Sequence, residues 1–76
     1  MATLIQPSDL AFFAALAQAG SLSAAARELG ISAAAVSRHL AQMEARLGLA
    51  LVNRTTRRMS LTPEGEQLMG FARRML

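Results

Sequence analysis

Four stretches of the chain space apolar residues three and four apart, the period of a helix with one buried face. In the first, Leu10, Phe13, Ala14 and Ala17 make an inner stripe that Leu16 widens and Gly20 ends. Pro7 closes a lead-in, Ser8 reads as the cap, and Asp9 sits near the positive end of the helix dipole. Phe12 falls off the stripe: it either stays partly exposed or packs on the last helix or on a second subunit. Ser23 then caps a short helix, Ala24 to Leu29, with Ala25, Ala26 and Leu29 inward. Gly30 requires a positive φ at the turn that follows, and Ile31 points inward. The third stretch is complete from cap to cap, with Ser32 before it, Gly48 after it, and Val36, Leu40, Met43 and Leu47 along one side. Its opposite side carries Ala34, Arg38, Ala41, Gln42 and Ala45. That side is small and nearly flat, with one long cation, and suits a close approach to another molecule.

After Gly48 the period changes. Leu49, Leu51 and Val52 on one side, and Met59-Ser60-Leu61 on the other, flank the polar run Asn53 to Arg58, which suits a small hairpin. Thr62 caps the fourth helix, Pro63 fits its first position, and Glu64 and Glu66 complement its dipole. Leu68, Ala72 and Met75 form its stripe, Met69 and Leu76 extend it, and Phe71 broadens it. Gly65 and Gly70 each cost about 1 kcal/mol relative to Ala inside a helix, a cost that close helix approach would explain. So wide an apolar surface is expected to meet a second copy of the chain. No terminating signal follows Met75-Leu76, so the chain is expected to be the first part of a longer protein. Ala26, Gly30, Val36 and Leu40 have the spacing of a helix-turn-helix: a small residue, a turn glycine, then two core contacts from the second helix. A hairpin beside such a unit is a wing. The expected fold is mainly α, a three-helix core with a small β-hairpin.

Composition narrows the function. Seventy-six residues allow one domain, and without Cys neither a disulfide nor a thiolate metal site can stabilise it. One His and no paired carboxylates leave no inventory for an enzyme. No apolar run reaches 18 residues and no basic segment precedes an apolar one at the start, so neither a membrane span nor a signal peptide is expected, and the expected compartment is the cytoplasm. The net charge is +3, with every cation an Arg. Its distribution is more telling: residues 1–26 hold no basic residue, whereas Arg54, Arg57 and Arg58 cluster with no acid among them. A localised basic cluster suits a polyanion. The competing reading is a helical protein–protein module whose arginines only keep it in solution.

The ordered series Gly20-Ser21-Leu22-Ser23, Ala25-Ala26, Leu29-Gly30-Ile31-Ser32, Val36-Ser37-Arg38, Leu40, Glu44 and Leu47-Gly48 continues into Leu51-Val52-Asn53-Arg54, Arg57 and Leu61-Thr62-Pro63-Glu64-Gly65. This series, spanning about residues 9–66 without a gap, resembles the DNA-binding domain of LysR-type transcriptional regulators. The resemblance implies a winged helix-turn-helix over 1–61, with the helix-turn-helix at about 22–41, the recognition helix at 33–47 and the wing at about 52–61. It implies that 62–76 begin a long C-terminal linker helix that dimerises. An effector-sensing C-terminal domain, absent here, normally follows. This segment therefore needs no cofactor, and a small-molecule effector would bind the missing domain. The implied partners are operator DNA in a bacterial nucleoid and a second copy, with higher oligomers possible in the whole protein. Two departures stand out. The Gln and Pro common after the capping Ser are Ala33 and Ala34, and the Phe and Glu common before the wing arginine are Val52 and Asn53.

On this reading Ser32 to Gln42 enter the major groove. Ala33 and Ala34 offer apolar contact and close approach, and Ser37 and Arg38 reach phosphates or base edges. Gln42 pairs with adenine or touches only the backbone. Ser21 and Ser23 bond a phosphate beside the second helix, and Arg54 binds another. Thr56 belongs to the wing tip, and Arg57 or Arg58 enters the flanking minor groove. The dimer surface is assigned to Phe12, Leu68, Met69, Ala72, Met75 and Leu76. Ser23 and Ser32 act first as caps, Glu44 and Arg46 as a solvated or structural pair, and Arg73 and Arg74 as complements of the last helix's dipole. His39, at the edge of the stripe, reads as a packed surface residue rather than a ligand.

Overall fold

Small residues are what allow these helices to close on one another. In the computed structural model, which describes residues 5–53 and 59–75, the order is α1 (Pro7–Ala19), α2 (Leu22–Leu29), α3 (Ala33–Leu47), β1 (Val52–Asn53), β2 (Ser60–Leu61) and α4 (Pro63–Met75). Helix α1 packs on α2 and on α4, and α2 packs on α3. Ala25 and Ala26, both buried, form the inner side of α2. Around them close Phe13 and Leu16 from α1, Val36, Leu40 and Met43 from α3, Leu51 and Val52 from the wing's base, and Met69 from α4. The fold is therefore mainly α, with a winged helix-turn-helix and one further helix, as the period pattern predicts.

The start of each of the first two helices differs from the sequence reading. Helix α1 begins at Pro7, and its cap is Gln6, not Ser8. Proline supplies the helical φ at the first position, where no N–H is required. Asp9 then falls at the third position, where its Oδ2 accepts the Gln6 N–H at 3.0 Å. A cap at Ser8 would have placed Ala11 there, which offers no acceptor. Helix α2 begins two residues early, with Ser21 rather than Ser23 as its cap: Ser21 is extended, and its Oγ accepts the Ala24 N–H at 3.0 Å. Two residues separate α1 from α2, because Gly20 (φ 81°) reverses the chain at once. Gly30 (φ 71°) performs the same service between α2 and α3.

Two residues read as inward are not. Leu29 is 37% exposed and Ile31 43% exposed. Both flank Gly30, where the chain turns at the surface, and Phe13 and Leu16 of α1 fill the core beside Ala25 and Ala26 instead. Phe12 moves the other way: it is only 6% exposed within a single chain, where it stacks on His39.

The wing's base is a short antiparallel pair, with Val52 opposite Leu61 and Asn53 opposite Ser60. Arg54, Thr55, Thr56, Arg57 and Arg58 lie outside the described residues, as does Leu76. Thr62 ties the wing to α4. Its hydroxyl donates to the Ala50 carbonyl at 2.7 Å and accepts the Gly65 N–H at 3.0 Å, while its own N–H donates to the Leu51 carbonyl at 3.0 Å. The first turn of α4 therefore lies directly against the Leu51 backbone. A Cβ at Gly65 would collide with the Leu51 carbonyl oxygen. Gly70 has no such constraint, because the nearest atom to a Cβ there is Arg74 Nη1, at 3.9 Å.

The two glycines should therefore respond with opposite signs. Gly65→Ala is expected to lower stability by about 1–3 kcal/mol through overpacking, against the helix preference for Ala. Gly70→Ala is expected to raise it by about 0.5–1 kcal/mol. Urea unfolding of both variants checks this, and a stabilising Gly65→Ala would contradict the close approach.

Candidate nucleic-acid interface

Helix α3 is capped as its sequence predicts. The Ser32 Oγ accepts the Ala35 N–H at 3.0 Å, and Gly48 (φ 70°) ends the helix with its N–H bonded to the Glu44 carbonyl at 2.8 Å. Val36, Leu40 and Met43 are buried. The remaining side is turned to solvent: Ser32, Ala33, Ala34, Arg38, Ala41, Gln42 and Ala45 are exposed, and Ser37 is half-buried. Alanine reaches hardly beyond the backbone, so this side of α3 can come within van der Waals distance of a groove floor over almost its whole length. Arg38 is the long side chain at its centre, and among the described residues it has no ion-pair or hydrogen-bond partner. A guanidinium on such a surface presents five donors in a planar fork.

Arg46, two turns further on, is committed elsewhere. Its Nη2 lies 3.2 Å from Asp9 Oδ2. The same carboxylate takes His39 Nε2 on Oδ1 at 3.0 Å. A carboxylate accepts only, so Nε2 carries the proton of that bond. The His39 ring also stacks on Phe12, with centroids 3.9 Å apart and planes 14° from parallel. Glu44 has a different task again: its Oε2 accepts the Leu51 N–H at 2.8 Å and the Val52 N–H at 3.4 Å, so α3 itself holds the strand that opens the wing. Glu44 and Arg46 thus serve separate partners rather than forming the pair expected from sequence. The signal was present but indirect: His39 and Arg46 are seven apart, hence on one side of α3, and Asp9 is the single acid before Glu28.

The other assigned residues divide by position. Ser21 is partly buried and Ser23, in the first turn of α2, is exposed; both lie at the end of α2 that carries the free N–H groups. The Oγ of Ser21 and of Ser32 each accept a cap bond, leaving the hydroxyl hydrogen to donate. Arg54, Thr56, Arg57 and Arg58 lie outside the described residues. Of the residues assigned to a dimer surface, Phe12, Met69 and Ala72 are buried inside the single chain and leave little area for a partner. Leu68 is partly buried against the core, and Met75 is 62% exposed. The reason is helical phase: Met69 and Ala72 face α1, while Phe71 and Met75, four apart, face away. Among the described residues no three His, Cys, Asp or Glu side chains group as metal ligands, and no helix is long and apolar enough to cross a membrane.

Comparison with known proteins fits this geometry. Residues 7–66 match the family described as bacterial regulatory helix-turn-helix protein, lysR family. An uncharacterised HTH-type transcriptional regulator of Mycobacterium tuberculosis is 55% identical over 64 residues, covering 84% of this chain and 20% of that protein. The HTH-type transcriptional regulator PtxR of Pseudomonas aeruginosa is 52% identical over the same length and shares. This chain thus spans about a fifth of the curated relatives it matches. Among solved structures, a complex of the BenM DNA-binding domain with catB site 1 DNA superposes with a TM-score of 0.88 at 30% identity, over 93% of this chain and 76% of that one. A DNA complex of the CbnR DNA-binding domain gives 0.84 at 35% identity, over 93% and 82%. The chain belongs to the lysR family of bacterial regulatory helix-turn-helix proteins.

The Asp9 cluster gives the domain an acid dependence. Burial alone pushes the Asp9 carboxyl up, but the bonds from His39, the Gln6 N–H and Arg46, together with the Arg46 charge, outweigh it and hold the group below the ordinary 3.8. A depressed carboxyl stabilises the fold fully above 3.8 and loses that contribution as pH falls through its lower folded value. Asp9→Asn is expected to cost about 1–2 kcal/mol near neutrality, less than a fully buried pair would, because His39 and Arg46 both remain partly exposed. The gap between wild type and variant should close as pH drops below 3.8. Urea unfolding across that range measures it, and a gap constant with pH would rule the ion pairs out as its source.

Proposed function

We propose that this chain binds double-stranded DNA in a sequence-dependent way as the DNA-binding part of a LysR-type transcription regulator, with α3 in the major groove. The observation that carries the reading is the exposed side of α3: an alanine-rich surface with Arg38, which has no ion-pair or hydrogen-bond partner among the described residues, at its centre and Gln42 one turn beyond. Arg38 bonds guanine bidentately or a phosphate, and Gln42 meets adenine or the backbone. Ala33 and Ala34 take apolar contact with thymine methyl groups, the polar reader implied by the family being absent there. Ser21, Ser23, Ser32 and Ser37 bond phosphates around this helix. The BenM and CbnR DNA-binding domains, which share this fold, form complexes with DNA, and this supports the DNA-binding reading.

From the sequence, Arg54 and Thr56 contact the backbone beyond the groove, and Arg57 or Arg58 enters the neighbouring minor groove. Dimerisation runs through the outward side of α4, where Met75 and Phe71 are exposed and Leu68 flanks them. Operator recognition would then pair two copies of α3 on two half-sites. A small-molecule effector would act through a domain outside this segment, and the protein would work in the bacterial cytoplasm, on the nucleoid.

Affinity for duplex DNA should fall steeply as salt rises, since each phosphate neutralised by Arg releases a counterion. Fluorescence anisotropy on duplexes selected from a random pool tests this, and no binding to any duplex at low salt would refute the reading. Arg38→Ala is expected to weaken the selected duplex by about 1–3 kcal/mol and a scrambled duplex by less. Equal losses on both would make Arg38 a phosphate contact only. Arg57→Ala is expected to reduce any preference for AT-rich flanks in the same assay, and an unaltered flank preference would exclude minor-groove reading by that residue.

A further inference from the structure

Asp9 is a buried carboxylate for which the groove reading has no use. It sits at the joint between two parts of the molecule: α1 packs on α2 and α4, whereas α3 packs chiefly on α2. Its side chain bridges α1 to α3 directly. One oxygen takes His39 Nε2 at 3.0 Å, and the other takes both Arg46 Nη2 at 3.2 Å and the Gln6 N–H at 3.0 Å. Phe12, one turn along α1 from Asp9, adds the ring stack on His39.

The geometry of the attachment matters more than its strength. His39 and Arg46 lie two helical turns apart on one side of α3, so Asp9 and its bonds grip the helix at two heights. A single contact would leave α3 able to roll about its axis; two restrict both roll and tilt. The residues next to these anchors in sequence, Arg38 and Ala45, are on the exposed side. A roll of about 20° moves a group about 6 Å from a helix axis by about 2 Å, enough to break a hydrogen bond to a base edge. A phosphate contact tolerates the same displacement better, because charge attraction falls off slowly and side chains can follow.

We propose that Asp9, acting through His39 and Arg46, is a positioning residue for sequence reading by α3: it fixes the roll and tilt that aim Arg38 and Gln42. This rests on the DNA-binding reading above. The three groups act as one unit, tying the helix that carries α4 to the helix that faces the groove.

The test compares affinities of the 76-residue chain for its pool-selected duplex and for a scrambled duplex of the same composition. In Asp9→Asn the selected-to-scrambled ratio is expected to fall about tenfold, with scrambled binding unchanged or slightly tighter. The sign separates the alternatives. Removing a negative charge tightens binding to both duplexes, and a loss of folded protein weakens both alike, so neither alters the ratio. His39→Leu, which leaves Phe12 an apolar neighbour but removes the donor, is expected to lose the ratio as well. His39→Gln, which keeps an N–H donor, should retain most of it. Thermal melts of each variant establish that it is folded at the assay temperature, and His39→Leu carries the test if Asp9→Asn does not fold. Folded variants lacking the Asp9–His39 bond that discriminate as well as wild type would overturn the positioning role. A wild-type chain that bound no duplex, or bound both equally, would instead bring down the DNA reading itself.

Discussion

The arrangement of this domain depends on one carboxylate taken out of water. An ionised Asp9 in the interior is unfavourable on its own, and it persists because three donors from two helices converge on it. That requirement works in both directions. The start of α1 is fixed because the Gln6 N–H must be within reach, and α3 is fixed because His39 and Arg46 must be. The depressed pKa of Asp9 is the sum of those bonds opposing burial. A purely apolar contact in the same place would join the helices as firmly but would leave their relative roll less defined, since dispersion has little directionality.

The rest of the architecture is governed by how closely backbones approach. With no disulfide and few aromatics, a chain of 76 residues gains stability by bringing helices together over small side chains. Ala25 and Ala26 do this between α2 and its neighbours, and Gly65 does it where α4 begins against Leu51. Leu29 and Ile31, at the turn, lie outward next to the leading end of α3. The proposed groove side thus has an apolar margin as well as an alanine floor.

Thr62 and Glu44 link the core to the wing. Glu44 holds the N–H groups of Leu51 and Val52 from α3, and Thr62 holds the carbonyls of Ala50 and Leu51 from α4. The short segment between is therefore bonded from both sides by the two helices that flank it. Two residues of paired strand would be too little to set a hairpin's direction alone, and these side-chain bonds supply the missing constraint. The base of the wing is oriented by the helices rather than by the sheet.

Much of this was written in local sequence. The caps Ser32 and Thr62, the glycines at 20, 30 and 48, the proline at 63 and the helical periods are signals that act within a few residues, and the structure follows them. The exposed composition of α3 follows in turn, because the buried stripe Val36, Leu40 and Met43 dictates which side remains. Where two local signals competed, the sequence alone could not choose. Ser21 and Ser23 are equally good caps, and Pro7-Ser8 can either precede or begin a helix. The tertiary structure takes Ser21, whose Oγ accepts the Ala24 N–H, and the start of α1 that brings Asp9 to its donors. It alone decided, too, that Phe12, Met69 and Ala72 are spent inside the chain, and that His39 and Arg46 meet a carboxylate 30 and 37 residues away. Periodicity reports which residues share one side of a helix; which neighbour that side meets is set by long-range packing that no local signal contains.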